Sequence, residues 1–235
     1  MVASRLLWAV GYSANENYFL PVFHVNNMPP RLRRGQKFAG HGGDVPNVRL
    51  QRRPKGEKKI GNWNWRHNPF VGTREFNGLR VMMALIRNWD LDNENNAILE
   101  GQKTPRRQIY LVTDVGTAFG ASGRRYYERN STGNLDAYRR GWLVAKIKPD
   151  SIDLHFPAMP PLSFISDLPF YLQQLHARWI GKHIPRADAK WIGSLLAQLS
   201  PDQIRDAFRA GGYSPDVVEA YTTTLMSRIQ ELTSL

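Results

Sequence analysis

Apolar positions along the chain recur with two different periods, and the switch between them marks out its elements. In residues 4–11, Leu6, Leu7 and Val10 fall on one side, the spacing of a short amphipathic helix that Gly11 can stop. YFLPVFHV at residues 18–25 is dense in aromatic and β-branched residues and predicts one or two strands near Pro21. VRLQR at 48–52 predicts another short strand, and GNWNWRHNPF at 61–70 an aromatic loop whose two Trp residues pack together. The period then changes. Phe76, Leu79, Met83, Ile86 and Trp89 recur at spacings of three and four, which predicts a helix from Thr73, its N-cap, to Trp89.

Residues 97–99 and 108–113 are short apolar or β-branched runs bounded by turn residues, suiting an antiparallel pair joined by EGQKTPRR and ending at Asp114. From residue 163 onward the pattern is helical. Asp167 before Leu168-Pro169, Ser200 before Pro201 and Ser214 before Pro215 each mark a helix start, Ser200 and Gln203 form a capping box, and Gly211 with Gly212 ends the intervening helix. Phe170, Tyr171, Trp179, Trp191 and Phe208 read as core along these helices. The order of elements is α+β: a small mixed N-terminal part, a central loop-and-strand region and a helical half.

Composition narrows the function classes. With 235 residues, 42% of them hydrophobic, the chain can bury a real core. It has no apolar run long enough to span a membrane, and the opening MVASRLLWAVGY carries Arg5 inside its apolar part, unlike a secretory signal. A cytoplasmic location is the default expectation. The absence of Cys excludes disulfides, zinc–thiolate sites and cysteine nucleophiles.

The net charge of +12 is concentrated: from Arg31 to Lys59 there are ten basic residues against two acidic ones. Such a run suits a polyanion, whether nucleic acid, anionic lipid or an acidic or phosphorylated acceptor. It equally suits a solvated loop, since Gly35, Gly40, Gly42, Gly43 and Gly56 interrupt it.

Two stretches carry candidate chemistry: NWDLDNENNAIL at 88–99 and YLVTDVGTAFG at 110–120. Asp90 and Asn95 reproduce the D-x-x-x-x-N spacing of a kinase catalytic loop, and Asp114-Val115-Gly116 stands where Asp-Phe-Gly would. Phosphoryl transfer needs those residue types because one Asp takes the acceptor proton while an Asn and a second Asp hold Mg²⁺ against the phosphates. A calcium loop is excluded, with Asn95 where Gly is required and Gly101 where a bidentate Glu belongs. The six His residues show no zinc-binding spacing, and no G-x-S-x-G motif occurs.

In RLLWAVGY, NPFVGTREFNGL, NWDL-x-x-x-N-N and the Asp-x-Gly-x-x-Phe-Gly segment, the chain resembles a family of bacterial kinase-like proteins. These are distantly similar to the atypical kinases, the phosphatidylinositol 3- and 4-kinases and the HipA-type kinases. The resemblance covers the chain from about Arg5 to the C-terminal helices. It implies a protein-kinase-like α+β fold with a truncated N-lobe, residues 1–70, and a mainly helical C-lobe, residues 71–235. It also implies Mg²⁺ and ATP as cofactors, Asp90 as the catalytic-loop Asp, and Asn95 and Asp114 as metal ligands, with Asn95 and Asn96 not separated. Adenine would lie near Phe23, Val25 and Met28, as at a kinase hinge.

The chain departs from the family pattern at the nucleotide clamp. No phosphate-covering glycine loop and no strand Lys precede Arg5, leaving Lys37, Lys55, Lys58 and Lys59 as substitutes. The expected function is an Mg-ATP phosphotransferase of unknown acceptor. The alternatives are a catalytically degenerate kinase-like domain and a polyanion-binding module built on residues 31–59.

Overall fold

The computed structural model describes residues 1–33, 35–53, 55–101, 107–120, 133–156, 163–166 and 168–235. Arg34, Asp167 and most of the expected turn between the two central strands lie outside them. The architecture is mixed α+β with three small antiparallel sheets.

Helix α1 (Val2–Ala9) buries Leu6 and Leu7, and the chain then turns through Gly11 at φ 88°. Strand β1 (Asn17–His24) is continuous through Pro21 and pairs with β2 (Asp44–Gln51). The proline is tolerated because only β2 flanks β1, so its missing N–H breaks no ladder on the open edge. Within the basic run, residues 44–51 are strand and residues 57–59 open β3 (Glu57–Gly61).

Trp63 and Trp65 follow, both buried, with ring centroids 4.6 Å apart. Helix α2 (Arg74–Leu85) begins where Thr73 Oγ1 accepts the amide of Phe76 at 3.2 Å. It stops four residues before Trp89, because Arg87 takes φ 52° and the Asn88 amide turns back to the Met83 carbonyl at 3.0 Å. The apolar period runs on past the helix because Ile86 stays fully buried in the loop.

A 3₁₀ turn, Asn93–Asn95, leads into β4 (Asn96–Gly101), which pairs on one side with β3 and on the other with β5 (Gln108–Val112). Helix α3 (Leu135–Arg139) precedes a third sheet of β6 (Val144–Ile147), β7 (Ser151–Leu154) and, far along the chain, β8 (Ile184–Pro185). Helices α4 (Ser163–Ser166) and α5 (Leu168–Ala177) lie between β7 and β8. After β8 come α6 (Arg186–Leu196), α7 (Pro201–Arg209) and α8 (Pro215–Thr233). Both capping-box bonds expected at Ser200 and Gln203 form.

One apolar cluster joins α1, α2, the β5 end and α6–α8. At its centre Phe119 meets Tyr138, Phe208 and Tyr221 at 5.2–5.8 Å between centroids. Each such ring contributes about 1.5–3 kcal/mol on burial. Arg228, 2% exposed, stacks 3.9 Å over Tyr138 and donates to the Leu85 and Tyr138 carbonyls. It fixes α8 to the end of α2. Among the described residues no helix is long and apolar enough to cross a membrane.

Candidate functional site

The site is built where the loop after α2 meets the segment after β5. Asn88, 1% exposed, donates its side-chain amide to the Asp114 carbonyl at 3.4 Å and accepts from the Thr117 hydroxyl. A buried amide of this kind must be satisfied, so it ties the two segments together. Asn95 adds a second tie: its backbone carbonyl accepts the Thr113 amide at 3.0 Å and the Asp114 amide at 3.4 Å. These bonds extend the β4–β5 ladder past its last residue pair, Asn96 opposite Val112. Pairing of two strands therefore sets Asn95 beside Asp114.

The side chains complete the connection. The Asn95 side chain and the Asp92 backbone amide both lie beside the Asp90 carboxylate. Burial raises the Asp90 pKa above the usual carboxylate value, helped by the nearby charges of Asp92 and Asp114 and opposed by the neighbouring Asn95 side chain. Asp114 Oδ1 accepts the Gly116 amide at 2.9 Å, and a Cβ on Gly116 would stand 2.9 Å from that same oxygen. Only glycine lets the carboxylate fold back so closely. Asn96 points the other way, fully buried, with Nδ2 donating to the Trp63 carbonyl at 3.2 Å. Strand alternation thus separates the two neighbours, and Asn95 is the one that faces the cavity.

That cavity measures about 920 Å³. Its floor is one face of the central sheet, with Ala97, Leu99, Ile109 and Leu111 at alternate positions. Asn95 and Asp114 line it together with Arg49, Arg52, Arg53 and Lys59. Arg52 is paired with Glu16 at 3.0 Å, whereas Arg49 and Lys59 take no ion pair among the described residues. The Arg49 guanidinium comes within 3.7 Å of where a Gly116 Cβ would be, beside the Asp114 turn. Of the four lysines considered as clamps, Lys59 is the one that lines this cavity, while Lys37 lies over the Phe38 ring at 4.9 Å.

Phe23, Val25 and Met28 are not brought to it. Asn15 Nδ2 donates to the Thr113 carbonyl at 2.5 Å, so the chain enters β1 beside the site, and the strand then carries it away. At ~3.3 Å per residue, His24 lies roughly 23 Å along the strand from Asn17. Val25 and Met28 line a different cavity of about 840 Å³, and Phe23 is exposed.

The basic run gave notice of cations in the sequence. Which of them face the site depends on the β1–β2 and β3–β4 registers, which no local pattern encodes.

Among the described residues no three His, Cys, Asp or Glu side chains gather around a metal position. The donor set instead holds one carboxylate and one carboxamide, both hard oxygen donors. That is too few for a protein-only calcium or zinc cage, and it fits Mg²⁺, which completes its shell with water and phosphate oxygens. No protein-family model, no curated protein and no solved structure matches this chain.

Proposed function

We propose that the chain is a kinase-like phosphotransferase using Mg-ATP, with an atypical-kinase fold. The observation that carries this reading is the meeting of Asn95 and Asp114, from two separate segments, at an apolar-floored cavity lined by cations, with Asp90 beside Asn95. A nucleoside triphosphate has the matching anatomy. Its base would lie on Ala97, Leu99, Ile109 and Leu111 rather than against Phe23, Val25 and Met28. Its phosphates would face Arg49 and Lys59, with Lys59 in the part of a kinase's strand lysine.

Asn95 and Asp114 would hold Mg²⁺, which when bound neutralises phosphate charge and orients the transferring group. Asp90 accepts the acceptor's hydroxyl proton while the acceptor oxygen bonds to the γ-phosphorus. The bond from that phosphorus to the bridging oxygen breaks, and its electron pair leaves with the diphosphate. Asn95 stands beside the Asp90 carboxylate, and burial raises the Asp90 pKa, the direction that makes it a better proton acceptor.

A thermal-shift titration with ATP, with and without Mg²⁺, tests the reading. The expected outcome is a Mg²⁺-dependent stabilisation of about 2.7 kcal/mol at a hundredfold excess over Kd, with ADP formed once an acceptor is supplied. Stabilisation without ADP formation would mark a degenerate kinase, and no stabilisation would overturn the reading.

A further inference from the structure

Asp90 itself lines a second, smaller cavity of about 300 Å³. We propose that it is the acceptor subsite and that it takes a neutral, polyhydroxylated small molecule of about monosaccharide size, an inference that rests on the phosphotransferase reading. Asp90 lines this cavity while the neighbouring Asn95 lines the large one. The proton acceptor thus belongs to one chamber and a candidate metal ligand to the other.

Three distant segments build the chamber. The Trp65 amide donates to Asn93 Oδ1 at 3.1 Å, fastening the tryptophan loop to the Asp90 loop. Arg66 reaches across to the end of α5, stacking 4.6 Å over Trp179 and donating to the His176 carbonyl at 3.1 Å. The walls are therefore held before any ligand arrives.

Size, charge and lining select the ligand class. A volume of 300 Å³ is at the small end for a ligand pocket, so it suits a compact molecule better than a peptide segment or a lipid headgroup with its chains. Asp90 and Asp92 supply the carboxylates, and the Arg66 cation is already engaged by an indole and a carbonyl. An anionic acceptor would meet repulsion here, so the acidic acceptor suggested by the basic run fits the wrong chamber. That run serves the phosphate side.

Trp65, Trp89 and Trp179 offer flat apolar surface of the kind that packs against the C–H face of a sugar ring. Asp92, His67 and Asp90 supply hydrogen-bonding groups for hydroxyls. The indole N–H of Trp65, a residue 4% exposed, has no hydrogen-bond partner among the described residues, which is uncommon for a buried donor.

The test is a tryptophan-fluorescence titration of the full chain. It uses a panel of neutral probes (D-glucose, D-ribose, myo-inositol, glycerol) against D-gluconate, with mass spectrometry of phosphorylated products in the presence of Mg-ATP. At least one neutral probe is expected to saturate the signal and accept phosphate, with gluconate binding at least about tenfold more weakly. His67→Ala, at an exposed position, should weaken that probe about tenfold with melting temperature and ATP binding unchanged.

The proposal is overturned if gluconate binds as well as the neutral probes. It is also overturned if ATP binds and dephosphorylated casein takes phosphate while no neutral probe does, an outcome that leaves the phosphotransferase reading standing. Absence of ATP binding removes both.

Discussion

The turn around Asp114 and the far end of the β1–β2 hairpin both attract attention in the sequence, yet the molecule holds them in opposite ways. At the Asp114 turn the backbone and the carboxylate are both fastened. Asn95 and Asn88 hold the backbone, Gly116 holds the carboxylate, and Phe119 anchors the following segment with its amide on the Ile86 carbonyl at 2.7 Å and its carbonyl accepting the Tyr221 hydroxyl. The hairpin end has no such backing. Val22 is 57% exposed, Phe23 is 39% exposed, and the His24–Asp44 pair at 2.8 Å is open to solvent. An exposed pair contributes little, about 0–1 kcal/mol, and a two-stranded ribbon by itself is marginal. Residue type marks a site in both places, but only the first has the rigid backing that preorganised chemistry requires.

The most severe way to break this contrast is to remove the anchor. Phe119→Ala should cost about 3–5 kcal/mol in urea unfolding, because three aromatic neighbours lose their partner and a cavity remains. A smaller and more local blow is Asn88→Ala. Losing that buried amide should cost about 1–3 kcal/mol and lower Mg-ATP affinity, since the Asp114 turn loses one of its ties. Calorimetry on the folded variant reads both effects, and unchanged affinity would show that the tie does not position Asp114.

What the sequence could and could not reveal divides along the same line. The Thr73 and Ser200 caps, the β4–β5 pair and the packing of Trp63 with Trp65 were legible because each depends on residues a few positions apart. The D-x-x-x-x-N and Asp-Val-Gly spacings were legible for the same reason. The β6–β7–β8 sheet left no readable signal, since its strands are four residues or fewer and β8 joins from far downstream. The chamber at Asp90 depends on Arg66 meeting Trp179, a contact between distant segments that no periodicity announces. Likewise the basic run revealed charge, while strand register decided that Arg49 and Lys59 face the cavity.

The mildest substitution sharpens the comparison from the other side. Phe23→Ala should change stability by no more than about 0.5 kcal/mol and leave nucleotide affinity unaltered, as expected for an exposed ring remote from the cavity. A tenfold loss of ATP affinity at unchanged melting temperature would move the base-binding surface to the hairpin and reverse the assignment made for the central sheet.

The central claim is that Asp114 and Asn95 serve a magnesium–nucleotide complex. Its most direct test is isothermal titration of ATP into wild-type protein and Asp114→Ala, each with Mg²⁺ and with EDTA. The account predicts binding by the wild type that requires Mg²⁺ and falls at least about tenfold in Asp114→Ala at near-unchanged melting temperature. Equal Mg²⁺-dependent affinity in the two proteins, or no binding by the wild type, would contradict it.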